Sequence, residues 1–329
     1  MLTQPPQPRG PRIGVRWWLL ACAFATGCAT ATKWDGIYFL PGFALLAITW
    51  TMGARRAAGV PQPAIATAIR DLPASLAAWV VIPVATYLIS WTGWFVNTGK
   101  HAYNRNWAAG HPHTMWSFLP HWLVDPLRSL WNYHAQALRF AEGLDAYHKY
   151  RSNGWTWLFD ARPVLYYANY PHVSSNPNHG CTTPDPVGCA RMIYNLGNPA
   201  IFWPSIPIMC FMLWLVFRRD WRGSAILVPF LFGFVPWLFI FHRTMFFFYV
   251  LPVVPFICLA LAMAIGYAIG PLEANPTRRA VGATVSGVYV LVVVVLFFYF
   301  LPILSAQTIP FTQWEHTLWF HNWIMDAGS

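Results

Sequence analysis

The sequence predicts an all-α integral membrane protein with about seven transmembrane helices and one long extracytoplasmic loop. Three observations carry that prediction. Hydrophobic residues make up 57% of the 329 residues and charged residues only 10%, a balance outside the range of ordinary soluble domains. Uncharged runs recur near the length of about 20 residues that a bilayer core requires. Arginines gather in alternate connections between those runs, as they do when a chain crosses a membrane repeatedly.

The elements follow in chain order. Residues 1–13, with three prolines among the first eight, read as a disordered cytoplasmic leader. Residues 14–97 hold three spans. The first two, Val15 to Thr32 and Gly36 to Gly53, are joined by Lys33-Trp34-Asp35 as a tight hairpin, and the third runs from about Pro73 to Val96. Between the second and third, the stretch Arg55 to Asp71 has the proline start and apolar spacing of a short helix on the membrane surface. Residues 98–199 form the long loop. Residues 200–304 hold four spans, Ala200 to Phe217, Ser224 to Phe241, Met245 to Gly270 and about Ala280 to Leu304, and residues 305–329 form an extracytoplasmic tail. Arg16, an apolar run and Ala-Thr-Gly-Cys28 look somewhat like a lipoprotein signal, but the later spans argue against cleavage there.

A formal charge of +10 raises the possibility of nucleic acid as a partner, and the distribution of the charge argues against it. Eleven of the 21 basic residues, Arg9, Arg12, Arg16, Arg55, Arg56, Arg70, Arg218, Arg219, Arg222, Arg278 and Arg279, fall at the N-terminus or in alternate connections. The other short connections hold only Lys33 and Arg243. This bias predicts a multi-pass protein of the cell membrane, N-terminus cytoplasmic and C-terminus extracytoplasmic, with membrane lipids as partners and no nucleic acid.

The long loop is too aromatic to be a solvated linker, with Trp107, Trp116, Trp122, Trp131, Trp155 and Trp157 spread along it. Such density marks a membrane interface or a surface for sugar or lipid. Asp125 to Leu144 reads as an amphipathic helix in the outer interface, Asp125 serving as N-cap and Pro126 sitting in the first turn. Cys181 and Cys189 flank a segment of turn formers, TTPDPVG, which suits a disulfide better than zinc, because the spacing fits no common ligand pattern.

Ionisable residues at the outer ends of spans are functional candidates, since burying them in a bilayer is costly. Lys33 and Asp35 form one such group, which could equally cap a hairpin at the headgroup level. Arg243, preceded by His242, stands alone between two apolar helices. Its guanidinium suits paired hydrogen bonds to a lipid phosphate, or simple anchoring among headgroups. In the loop, YHKYRSNGWTWLFDARPVLYY brings His148, Tyr150, Arg151, Trp155, Trp157 and Arg162 close in sequence. Cations beside indoles suit an anionic glycolipid, arginine meeting phosphate and tryptophan packing on sugar, although a belt of interfacial anchors has the same composition. The remaining histidines are scattered and HPH at 111–113 is a weak metal signal, so no metal site is assigned. No Gly-rich phosphate loop or nucleophile elbow is visible.

Taken together, YHKYRSNGWTWLFDARPVLYY, CTTPDPVGCARMIYNLGNPAIFWP, RRDWRG, HRTMFFFYVLPVVPF and AQTIPFTQWEHTLWFHNWI resemble the C-terminal half of bacterial, actinobacterial-type protein O-mannosyltransferases, and TKWDGIYFLPGFALLAITWTMGARRAAGV looks like that family's middle section. The resemblance implies a GT-C glycosyltransferase fold. It further implies inverting transfer of mannose from polyprenyl-phosphate mannose to Ser or Thr of exported proteins, without a cofactor, with protein acceptors and the secretion translocon as partners. On this reading Arg243, His242 and Lys33 hold the donor phosphate, and the segment from His148 to Arg162 lines the groove. Members of the family carry an Asp-Glu pair in their first outside loop, on a segment of four further spans. This chain has no adjacent acidic pair. The resemblance therefore implies an N-terminally truncated member, whose catalytic residues are unassigned here and whose activity alone is an open question. Another lipid-linked sugar transferase and a non-catalytic membrane scaffold remain the alternatives. A transporter fits less well, because the span interiors are nearly uncharged.

Overall fold

The computed structural model describes residues 10, 14–97, 103–112, 119–169 and 188–323. The leader apart from Gly10, Cys181 and the last six residues of the tail lie outside the described residues. The chain divides into two units, Met1–Leu144 and Asp145–Ser329. Six helical runs among the described residues are long and apolar enough to cross a membrane: Trp34–Ala57, Leu72–Ser90, Pro199–Phe217, Trp221–Leu238, Phe247–Ile269 and Pro276–Leu304. The first run of the sequence forms a shorter helix of 16 residues.

In the first unit, α1 (Trp17–Thr32) leads through the expected hairpin into a 3₁₀ turn at Trp34–Tyr38 and then α2 (Phe39–Ala57). Lys33 Nζ lies 3.0 Å from the Asp35 carboxylate at this turn. The predicted surface helix is α3 (Pro63–Arg70), begun by proline, whose missing N–H costs nothing in a first turn. It is followed by α4 (Leu72–Ser90) and the short α5 (Thr92–Val96). Arg55 is not solvated as its position in an arginine-rich connection suggests. It is buried, and its Nε and Nη2 donate to Asp71 Oδ2 at 2.9 and 2.6 Å. Breaking one side of such a buried pair typically costs about 3–5 kcal/mol, so the pair fixes α3 between α2 and α4. Arg16 adds bonds to Thr51 Oγ1 (2.8 Å) and to the Ser75 hydroxyl.

The amphipathic helix α6 spans His121–Glu142, starting one turn earlier than its sequence signals. Pro126 therefore lies inside it, and Asp125 caps nothing. Instead its carboxylate meets His121 Nδ1 (3.2 Å) and Arg128 (3.5 Å) along the helix face. Trp122, Trp131 and Phe140 remain more than 70% exposed, Trp131 on the face opposite the other two. The helix is tied to α4 by an ordered chain of polar groups. Trp34 Nε1 donates to Tyr87 Oη at 3.0 Å, Tyr87 donates to His134 Nε2 at 2.5 Å, and His134 Nδ1 donates to Leu130 O at 2.7 Å.

The second unit contains the four-helix region and a small sheet that the helical reading of the sequence lacks. After α7 (Gly154–Trp157), β1 (Val164–Asn169) pairs antiparallel with β2 (Cys189–Asn195), and β2 pairs with β3 (Ile309–Pro310). Alternation along β2 explains why it forms: Met192 and Tyr194 are buried while Arg191 is exposed. Short α8 (Pro199–Phe202) starts the helical region, capped by the Asn198 side chain. There follow α9 (Ser205–Phe217), α10 (Trp221–Leu238), a 3₁₀ turn at Phe247–Val253, α11 (Val254–Ile269) and α12 (Pro276–Leu304). The chain ends in α13 (Phe311–His316) and a turn at His321–Trp323.

These helices alternate in direction, so the α9–α10 and α11–α12 turns share one end of the unit. That end is basic, with Arg218, Arg219, Arg222, Arg278 and Arg279. Asp220 caps α10 there, and hydrogen bonds from the Arg222 guanidinium hold its carboxyl down at about 2. At the opposite end, Met192 and Tyr194 of the sheet pack with Phe300, Ile303, Trp314 and Trp323 as one buried cluster.

Candidate functional site

The site lies at the sheet end of the second unit, where α10 gives out. Pro236 sits in the last turn of α10, and residues 239–246 follow without regular structure. This segment carries His242 and Arg243, and it is stapled to the chain before α7. Thr244 Oγ1 donates to Ala146 O, and Ser152 N donates to Met245 O at 2.8 Å. The staples bring residues 145–153 alongside Arg243.

α7 rests on the end of α10. A Cβ at Gly154 would lie 3.0 Å from Trp237 O, so the close approach needs glycine. Asn153 caps the turn by accepting from Trp155 N, Trp155 Nε1 donates to Leu238 O at 3.1 Å, and Trp157 Nε1 donates to Ser152 Oγ at 2.9 Å. Trp157, only 1% exposed, stacks on Tyr249 with ring centroids 6.1 Å apart. Arg243 in turn lies over the Tyr249 ring, 5.7 Å from its centroid, and donates to its hydroxyl at 3.3 Å.

The result is a polar cavity of about 470 Å³. Arg151, Arg162, His242 and Arg243 line it, together with Asp145, Ser152, Asn153, Thr156 and, from the final turn, Asn322. Arg162 and Arg243 each keep a buried Nε with no hydrogen-bond partner. The Arg162 Nη1 contact to Arg151 O, at 3.5 Å, is long. Buried guanidinium donors without acceptors are costly, and an anion in the cavity would satisfy them.

Of the residues singled out in the sequence, Arg151, Arg162, His242 and Arg243 come together here. The others take different places. His148 packs edge-on against Phe246 at 5.0 Å, Tyr150 is buried with Lys149 over its ring, and Trp157 is core. Trp155 is 58% exposed outside the cavity lining. Lys33 belongs to the first unit, in its pair with Asp35. Cys189 is disulfide-bonded, whereas Cys22, Cys28, Cys210 and Cys258 are free thiols.

Asp160, which no sequence signal marked, lies two residues before Arg162 in the chain. It is fully buried, and neither carboxylate oxygen has a hydrogen-bond partner. Burial pushes its pKa up to about 8; the nearby Gly197 N–H pulls the other way but closes no hydrogen bond onto the oxygens. At neutral pH the group is therefore mainly a neutral acid. Its backbone has φ +55°, a left-handed geometry unusual outside glycine. Two indoles hold this turn: Trp203 Nε1 donates to Phe159 O at 3.0 Å, and Trp323 Nε1 to Asp160 O at 2.7 Å. Neighbouring Asn322 is thereby brought to the cavity wall.

Comparison with known proteins agrees with this architecture. Residues 126–323, more than half of the chain, match the family model of the C-terminal four-transmembrane region of protein-O-mannosyltransferase. Among curated proteins, the chain is similar to the polyprenol-phosphate-mannose–protein mannosyltransferases of Mycolicibacterium smegmatis strain MKD8 (35% identity over 319 residues), Mycobacterium tuberculosis strain H37Rv (34%) and Corynebacterium glutamicum (31%). Each match covers 95% of this chain and 59% of the relative, so the chain spans about three fifths of their length. Among solved structures, the Saccharomyces cerevisiae protein O-mannosyltransferase Pmt1–Pmt2 complex bound to the sugar donor matches at a TM-score of 0.48 and 18% identity, over 61% of this chain and 27% of that one. By the family-model match, the chain belongs to the protein-O-mannosyltransferase family and carries its C-terminal four-transmembrane region.

Proposed function

We propose that this chain holds the lipid-linked donor for a glycosyltransferase that moves mannose from polyprenyl-phosphate mannose to Ser or Thr of exported proteins. The observation that supports this most is the single cavity in which Arg162 and Arg243 each present a buried, unpartnered Nε–H. A phosphate would accept those hydrogens, and Arg151 and His242 add positive charge or donors around it. The sugar would meet the neutral and acidic groups of the same wall, Ser152, Asn153, Asn322 and Asp145.

In such a reaction a carboxylate base takes the acceptor hydroxyl proton as the oxygen attacks the anomeric carbon, and the bond to the lipid phosphate breaks. The arginines would stabilise the charge that grows on the departing phosphate. Their role is electrostatic, and the base is assigned to no residue here. The basic end of the second unit, with Arg218, Arg222 and Arg278, would face the cytoplasm and the cavity the outside of the cell membrane. The acceptors would then be polypeptides emerging from secretion, with the translocon as a neighbour.

The test is binding of polyprenyl-phosphate mannose to the chain in nanodiscs, with Arg243→Ala and Arg162→Ala beside it. Each variant should weaken binding by about tenfold or more, the effect of losing a charge-assisted hydrogen bond worth about 1.5–3 kcal/mol. Unchanged affinity in both variants would remove the donor from this cavity. Mannosyl, arabinosyl and glucosyl donors compared in the same assay separate the mannose reading from another sugar.

A further inference from the structure

The sheet of the second unit has an open edge. In the order β1-β2-β3, β1 (Val164–Asn169) is an outer strand, and among the described residues nothing pairs with the side of it that faces away from β2. Successive peptide groups of a strand point to alternate sides, so about half of those in β1 present their N–H and C=O outward. Four of its six residues are exposed, Tyr166 by 55% and Tyr167 by 41%. Edge strands that stay single commonly carry a proline or a charged side chain, and VLYYAN has neither. A bulge between Leu165 and Tyr167 twists the first half, whereas Tyr167, Ala168 and Asn169 keep regular register with Ile193, Met192 and Arg191.

Two connections join this edge to the arginine-lined cavity. Along the chain, Ala161 and Arg162 line the cavity and β1 starts two residues later, so Tyr167 lies at most about 17 Å from Arg162 at an extended rise. Through side chains, Asn195 Nδ2 donates to Tyr166 Oη at 3.0 Å, the Tyr166 ring meets Phe248 at 6.1 Å, and Phe248 stacks on Tyr249, over which Arg243 lies. A row of unpaired backbone groups therefore starts at the wall of the cavity. What such a row complements is another extended backbone, whatever its side chains.

We propose that the free edge of β1 docks the acceptor polypeptide as an added strand, pairing with the backbone of an extended segment and leading its Ser or Thr towards the arginine-lined cavity. This rests on the reading of that cavity as the donor's headgroup site. Pairing along Tyr166–Asn169 holds the segment, and a residue further along it reaches the sugar. The consequence is selection by the state of the acceptor chain more than by its sequence. A stretch that is extended with free amides binds, whereas a proline-dense stretch, or one already folded into a helix, has no row of donors and acceptors to offer.

The experiment uses the full chain in nanodiscs and a peptide of about ten residues, alternating Thr and Ala, with a photoreactive diazirine side chain at its centre. Crosslinks should map to β1. A second peptide of the same sequence carries N-methyl groups on its two central consecutive amides, which blocks both of its edges while keeping every side chain. Its labelling of β1 should be at least about tenfold weaker. Label confined to residues outside β1, or equal label from the methylated peptide, overturns the proposal and leaves the donor reading standing. A disulfide between two copies of the chain carrying Tyr167→Cys, formed in place of peptide labelling, would make a second copy the occupant and overturn it as well. Methyl-sensitive label on β1, found together with donor affinity unchanged in Arg162→Ala and Arg243→Ala, would sink the donor reading and with it the role of this edge as an acceptor site.

Discussion

At the scale of single residues, Asp160 carries a cost that pH can expose. Its pKa rises from 3.8 in the unfolded chain to about 8 in the folded one, so the folded state holds a proton that the unfolded state has already lost. Stability from this group is therefore complete below about pH 4, declines as pH climbs towards 8, and stays low beyond it. Asp160→Asn keeps the shape and removes the titration. Melting temperature in detergent, followed from pH 5 to pH 9, should fall less for the variant than for the parent. A parent curve no steeper than the variant's would contradict the assignment. Nothing in the run WLFDARP announces this burial, because it depends on Trp203 and Trp323, residues 43 and 163 positions away from Asp160. Arg162 and Arg243 were legible, since a lone cation beside apolar or aromatic stretches is conspicuous in sequence. Their meeting in one cavity was not, because it requires the staples from Thr244 and Met245 to residues 146 and 152.

At the scale of elements, the spans were legible because bilayer thickness sets their length and a charge-free run of that length has few other uses. The sheet was not. β1 is short, exposed at four of its six residues, and its pairing with Cys189–Asn195 is a long-range choice. The start of α6 also moved, because Asp125 found partners along the helix instead of at its end. Helix contacts set by small residues are likewise invisible to hydropathy, and the α11–α12 crossing is the sharpest example. A Cβ on Gly282 would fall 2.2 Å from Ala268 O, so Gly282→Ala must push the helices apart. It should destabilise by about 1–3 kcal/mol, read as a lower unfolding midpoint in detergent. Gly287→Ala, on the same helix with open space around it, should be neutral or gain up to about 1 kcal/mol from helix propensity. Equal effects at both positions would mean that the crossing is looser than described.

At the scale of the whole molecule, the arrangement of charge makes a statement about sidedness. The basic turns of the second unit lie at the opposite end of its helices from the sheet and the cavity. Glu273→Cys, beside the basic α11–α12 turn, and Tyr167→Cys, in β1, can each be placed in a background whose four free cysteines are alanine. A membrane-impermeant maleimide added to intact cells should label Tyr167→Cys and spare Glu273→Cys until the cells are opened. The reverse pattern would invert the proposed topology.

The indole clamp on the Phe159–Asp160 turn has a practical edge. Trp323 stands seven residues from the last residue of the sequence, counting both, yet it reaches back to a carbonyl in the middle of the chain and carries Asn322 to the cavity. The turn at His321–Trp323 is thus part of the cavity wall. A chain trimmed before Phe320 would be expected to open the cavity wall and free the Phe159–Asp160 turn while leaving the six candidate membrane-spanning helices intact, read as an unchanged helical content with a lower unfolding midpoint.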